Sequence, residues 1–178
     1  MKKLLVLVFA MALSLGVLCV GASADIQPTK PTDGDGTAAA PYKIGTAAEL
    51  YWFAGLVNGD TNIIGSEVQQ NKSANAVLTD DITINTGVLA AIASGSTPTY
   101  TWTPIGTDYN KAYTGTFDGD GHTISGLYYS GSGNYVGLFG CVGSGGVVKD
   151  VSVADSYIGV TTTSENALYI GGISGHNE

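Results

Sequence analysis

Apolar residues recur along this chain with two periods. Leu50, Phe53, Ala54 and Val57 fall at i, i+3, i+4 and i+7, the stripe of an amphipathic helix. Thr46-Ala47-Ala48-Glu49 in front of it is a capping box. The Thr hydroxyl takes the amide of the third helical residue, and the Glu reaches back to the cap. Asn58-Gly59 closes the helix, since Gly enters the left-handed conformation at least cost. Trp52 lies off the stripe, placed to cover its edge.

From Ala76 onward the pattern is that of strands. Ile82 and Ile84 alternate about Thr83, and apolar runs at 113–117, 122–129, 135–142 and 147–153 are punctuated by turns at 118–121 and 131–133. The segment 102–106 reads as extended, with Pro104 excluding it from the middle of an uninterrupted ladder. With Gly95 and Pro98, 88–100 reads as an insertion or hairpin, and 155–168 as an outward loop or an extra strand.

These runs repeat. Gly137-Leu138-Phe139-Gly140 recurs as Gly172-Ile173-Ser174-Gly175, an offset of 35 (172 − 137), which marks Gly137, Gly140, Gly172 and Gly175 as structural repeat positions. Ile124, Leu127 and Tyr129 are echoed by Val148, Val151 and Val153 at a shorter offset of 24 (148 − 124). A period of about 20 to 50 residues signals stacked units that bury their apolar sides against their neighbours. Gly, 26 of 178 residues, gathers at the ends of the runs, where solenoid corners need left-handed or cramped backbone. The expected fold is an all-β solenoid whose first rung is covered by a short capping helix.

The amino terminus changes the picture of where the chain works. Lys2 and Lys3 precede an apolar run from Leu4 to Val20, and Ala22-Ser23-Ala24 offers a small-x-small cleavage site. A membrane span needs roughly 20 apolar residues, more than this run supplies. Residues 1–24 therefore read as a secretory signal peptide, with no membrane span left after cleavage. Leu18 before Cys19 does not suit lipidation. A Pro- and Gly-rich linker follows over 25–41, and the repeat module over 42–178. The chain carries 7 Lys, no Arg and 15 acidic residues, a net charge of −8 that becomes −10 without Lys2 and Lys3. Nucleic-acid binding relies on clustered basic residues and is excluded. Cys141, the one cysteine left after cleavage, can form no internal disulfide and reads as a buried small hydrophobe.

Tyr113 to Leu127, with Thr116-Phe117-Asp118-Gly119-Asp120-Gly121-His122 at its centre, resembles the entry segment of bacterial surface proteins with GLUG motifs. Trp102-Thr103-Pro104-Ile105-Gly106 is similar to the segment that precedes it there, and 36–50 to the amino-terminal cap of those proteins. Gly172-Ile173-Ser174-Gly175-His176-Asn177 resembles the GLUG core, with Ser174 where an apolar residue is usual. The resemblance implies a right-handed parallel β-helix of the pectin-lyase-like kind in an exported protein. It implies an accessory module, as in adhesins and immunoglobulin A peptidases. Relatives of that kind carry further repeats and an anchor, so the chain reads as a fragment ending on an open rung. Unpaired edges invite pairing with another chain, and end-to-end self-association is expected.

Candidate chemistry is sparse. Asp118, Asp120 and His122 form the one tight cluster of reactive types, but Asp-Gly-Asp-Gly is also what a tight turn requires. Asp118 and Asp120 are the weak candidates for a cation such as calcium. With Asp150, they are also the candidates for a polysaccharide-cleaving carboxylate pair. Asp33-Gly34-Asp35 lacks the remaining ligands of a calcium loop and reads as a turn. No His-Glu-x-x-His or Gly-x-Ser-x-Gly motif occurs, and His176 reads as a polar residue at the end of a repeat. Ten Tyr and few charges suit sugar stacking or protein contact, with Trp102, Tyr109, Tyr113 and Tyr128 as the candidate binding face. The expectation is a non-catalytic, secreted or cell-surface module for adhesion or structural display, with surface glycans or host proteins as partners and no resident cofactor. The alternative is a carbohydrate-active lyase or hydrolase working through Asp118 and Asp120.

Overall fold

A computed structural model describes residues 25–161 and 167–178. The signal-peptide expectation over 1–24 lies outside them, as does part of the 155–168 loop. The described chain is mainly β, with few and short helices. The amino-terminal half holds β1 (Tyr42–Ile44), α1 (Ala47–Asn58), α2 (Thr61–Ile64), β2 (Ala76–Leu78), β3 (Ile82–Thr83) and α3 (Val88–Ala93). A 3-10 turn at Tyr109–Lys111 leads to β4 (Thr116–Asp118), β5 (Thr123–Ser125), β6 (Tyr128–Gly131), β7 (Tyr135–Val136) and β8 (Phe139–Val142). The last tier is β9 (Val147–Lys149), β10 (Ser152–Ala154), β11 (Tyr157–Val160), β12 (Tyr169–Ile170) and β13 (Ser174–Asn177).

Among the described residues every pairing of these strands is parallel, and the chain returns to each sheet one tier later. The sheets run β1-β2-β4-β9, β3-β5-β10, β6-β11, β7-β12 and β8-β13. Register sets Phe117 beside Val148, Ile124 beside Val153, Tyr128 beside Tyr157 and Phe139 beside Ser174. The recurrence of the glycine motif is therefore a ladder register: Leu138 N donates to Gly172 O and Phe139 N to Ile173 O.

The shorter echo is not. Ile124 stacks on Val153, an offset of 29 (153 − 124), while Val148 belongs beneath Phe117. The echo aligned β5 with β9, two strands on different sides of the stack. Both carry apolar residues at the same spacing because each side buries one face. The segment 88–100 is not a hairpin. Val88–Ala93 makes a helical turn whose first amides, Val88 N and Leu89 N, are held at 3.1 Å by the Asp155 carboxylate.

Helix α1 forms as its sequence dictates. Thr46 Oγ1 accepts from Glu49 N at 3.2 Å, Glu49 Oε2 accepts from Thr46 N at 3.1 Å, and Gly59 ends the helix at φ 68°. Leu50, Phe53 and Val57 are fully buried, and Phe53 packs against the rings of Tyr113 and Phe117 at 6.1 and 6.0 Å. Trp52 is also buried, edge-on to Tyr42 at 5.4 Å. Asn58, buried at the end of α1, donates to Pro104 O and accepts from Gly106 N, both at 2.9 Å, fixing the helix to the extended 102–106 segment. Residues 25–41 carry no helix or strand and are tied to the body, with Thr29 N donating to Ala48 O and Asn75 N to Gly36 O.

Candidate functional site

The corner at 118–121 is built as a turn. Asp118 accepts from Asp120 N at 3.0 Å and is ion-paired with Lys149 one tier on. Asp120 sits at φ 48° and Gly121 at φ 84°, the left-handed backbone this corner needs. Lys149, and then the Asp120 amide, hold the Asp118 carboxyl below the usual carboxylate range. A glycosidase acid needs the opposite shift. His122 turns away to Asp81, 3.3 Å off, whose carboxylate also accepts from Thr123 N at 2.8 Å. Among the described residues no group of three or more His, Cys, Asp or Glu is placed to hold a metal ion.

The four aromatic residues picked from the sequence do not share a face. Trp102 and Tyr113 are core residues, 1% and 0% exposed, which corrects their reading as ligand contacts. Trp102 Nε1 donates to Gly137 O at 3.1 Å because its segment runs along the edge of the tier that holds β6 and β8. Tyr113 Oη donates to Ala74 O at 2.9 Å, and burial pushes its phenol well above the ordinary range. Tyr128 is half-buried and stacks on Tyr157 at 6.0 Å, and Tyr109 is exposed.

Tyr109 instead joins a different group. The β7–β12 register lays Tyr135 flat on Tyr169, ring centroids 5.0 Å apart and 3° from parallel. The β8–β13 register places His176 beside Cys141, with Sγ 3.7 Å from Nδ1. The imidazole meets Tyr169 edge-on at 4.9 Å, Tyr135 at 6.0 Å and Tyr109 at 5.0 Å. Tyr109 Oη lies 2.9 Å from His176 Nε2. Asp108 fixes the turn that carries Tyr109 by accepting from Asn110 N at 2.7 Å. Lost solvation, followed by the neighbouring tyrosine hydroxyls of the group, holds the Tyr109 and Tyr135 hydroxyls above the ordinary phenol range. They stay neutral near pH 7 and keep a proton to donate. Cys141 is buried beneath this surface, and burial raises its thiol as well, so it offers no thiolate. The group is therefore a patch of half-exposed tyrosine rings with neutral polar tips, a surface for stacking and hydrogen bonding. The sequence signal for it was available: Tyr135 and Tyr169 stand at an offset of 34 (169 − 135), close to that of the glycine repeat.

The glycine positions act through packing. A Cβ on Gly140 would lie 2.5 Å from Gly106 O, and one on Gly175 2.5 Å from Tyr169 O. Gly137 is similarly confined, 2.8 Å from Gly171 O, while Gly172 faces open space.

Over 145 residues, 81% of its length, the chain is 32% identical to a putative Gly-rich membrane protein of Evansella cellulosilytica. It is 34% identical over 126 residues, 70% of its length, to halomucin of Haloquadratum walsbyi. It spans 14% of the first relative and 1% of the second. No family model and no solved structure matches it. Among the described residues no helix is long and apolar enough to cross a membrane. By sequence, this chain is thus similar to a short stretch of two much longer proteins, one named for a membrane and one as a mucin.

Proposed function

We propose that the chain is a right-handed parallel β-helix module of a secreted or cell-surface protein, of the GLUG-motif kind, that displays a glycan-binding tyrosine patch. The names of the two relatives, a membrane protein and a halomucin, favour a surface setting and a non-enzymatic role. The observation that carries the binding role is the flat stacking of Tyr135 on Tyr169 beside Tyr109 and His176. The half-exposed rings offer their uncovered apolar surface to the C–H faces of sugar rings, and neutral hydroxyls give donors at their rims. A net charge of −8 disfavours anionic polysaccharides and leaves neutral glycans as the preferred class.

The test is binding of the exported chain to immobilised neutral glycans, including chitin-, cellulose- and mannan-type oligosaccharides. Changing Tyr135→Ala and Tyr169→Ala together is expected to weaken binding at least about tenfold, the loss of about 1.4 kcal/mol. Tyr128→Ala, outside the patch, is expected to leave it intact. Absence of binding across the panel, or binding indifferent to Tyr135 and Tyr169, removes the adhesion role.

A further inference from the structure

A groove of about 310 Å³ lies between the end of α1, α2 and the 102–111 segment, lined by Tyr51, Asp60, Thr61, Thr103, Thr107 and Lys111. Its walls are fixed by the chain's own bonds. Asn58 ties the end of α1 to Pro104 O and Gly106 N. Asp60 N donates to Gly55 O at 2.9 Å, and a Cβ on Gly55 would collide with Ile63, so glycine there lets α2 lie against α1. Asp108 accepts from Asn110 N at 2.7 Å and from Lys111 N at 3.2 Å, which sets the turn that carries Lys111. Tyr51 donates to Thr101 O at 2.8 Å and meets Trp102 edge-on at 5.3 Å. Burial holds its phenol above the ordinary range, so the proton stays in that bond. A preformed concavity of this size with a few polar groups is the usual form of a small-ligand site.

The groove carries charge of both signs that is not neutralised within it. Five lysines fall among the described residues. Lys43 pairs with Asp33 and Lys149 with Asp118, Lys72 Nζ donates to Asn110 O at 3.0 Å, and Lys30 lies over the Trp52 ring. Lys111 alone has no partner for its ammonium among the described residues, in a chain of net −8. One oxygen of Asp60 accepts from Asn62 N at 3.0 Å, and the other is unmatched among those residues. The hydroxyls of Thr61, Thr103 and Thr107 make no hydrogen bond there either. An ammonium only donates, a carboxylate only accepts, and a hydroxyl does both. An anionic guest would face Asp60, a cationic one would face Lys111, and an apolar one would take water from both without replacing it. A ring of hydroxyls meets all of these groups, and the half-buried Tyr51 ring adds an apolar wall for its C–H face.

We propose that this groove binds one neutral sugar residue, the end unit of a glycan. Asp60 accepts from its hydroxyls, Lys111 donates to them, and the threonine hydroxyls fill the remaining positions. The site shares no residue with the tyrosine patch, so either reading can fail without the other.

Isothermal titration of the exported chain with the free methyl glycosides of glucose, galactose, mannose and N-acetylglucosamine tests this. Saturable binding of at least one, at one site per chain, is expected. Lys111→Met and Asp60→Asn are each expected to weaken it at least about tenfold, as the loss of a hydrogen bond to a charged group does. Asn at position 60 keeps an acceptor for Asn62 N, and Lys111→Met carries the test alone should the other variant fail to fold. Lys43→Met, which does not line the groove, and the joint Tyr135→Ala and Tyr169→Ala change are expected to leave binding intact. No saturable binding of any of the four glycosides, binding indifferent to Lys111→Met, or binding abolished by the tyrosine changes overturns the proposal.

Discussion

The glycines of the repeat separate two roles that their one-letter pattern merges. A Cβ on Gly140 would lie 2.5 and 2.8 Å from the carbonyl oxygens of Gly106 and Tyr135, both backbone atoms that cannot swing away. Gly140→Ala is expected to cost about 1–3 kcal/mol, the range for overpacking. Gly172→Ala, facing open space, is expected to stay within about 0.5 kcal/mol. Urea midpoints of the two variants check this, and equal midpoints would mean that the close approach at Gly140 is not felt. Asp118 allows a prediction in pH. Its folded carboxyl lies below the ordinary value of 3.8, chiefly because of Lys149. Its contribution to stability is therefore present above that value and is lost as pH falls through the lowered one. The pair is solvent-exposed, so the effect is small. Thermal midpoints of Asp118→Asn are expected to fall below the parent's at neutral pH and converge with them in acid.

Elements were legible where their signals are local. The capping box and the closing Gly59 of α1 each depend on near neighbours in the chain, and each appears in the structure as its residue types require, whereas burial is not confined to the expected apolar stripe: Trp52, Gly55, Leu56 and Asn58 are buried as well. Thr46→Ala is expected to cost about 1 kcal/mol, measured as a drop in unfolding free energy. Asn58→Ala is expected to cost more, about 1–3 kcal/mol for each buried group it orphans. It leaves both Pro104 O and Gly106 N without their partner. A cost at Asn58 no larger than at Thr46 would show that water replaces those bonds. The short helix over Val88–Ala93 was not legible, because what holds its first turn is Asp155, far along the chain from Val88.

At the scale of the described residues, successive tiers are supported by their neighbours, and β9 to β13 pair on one side alone. Stability in such stacks is approximately the sum of intrinsic and nearest-neighbour terms. Amide exchange in this chain is therefore expected to be fastest in β9 to β13 and slowest in β2, β4 and α1, as mass spectrometry of peptic fragments can resolve. Uniform protection would indicate a single cooperative unit. By itself the sequence determined the β character, the capped helix, the turn at 118–121, the register of the glycine repeat and the acidic charge. Each of these follows from residue type and near-neighbour spacing. Only the tertiary structure decided which strand lies on which. The loops between partners differ in length, so the offset changes from tier to tier: Ile82 pairs with Ile124, and Ile124 in turn with Val153. A fixed, shorter offset therefore matched β5 with β9, a strand of the next tier on a different side. Register then decided which aromatic residues face outward. It buried Trp102 and Tyr113, and it brought Tyr109, Tyr135, Tyr169 and His176 together from four separate segments.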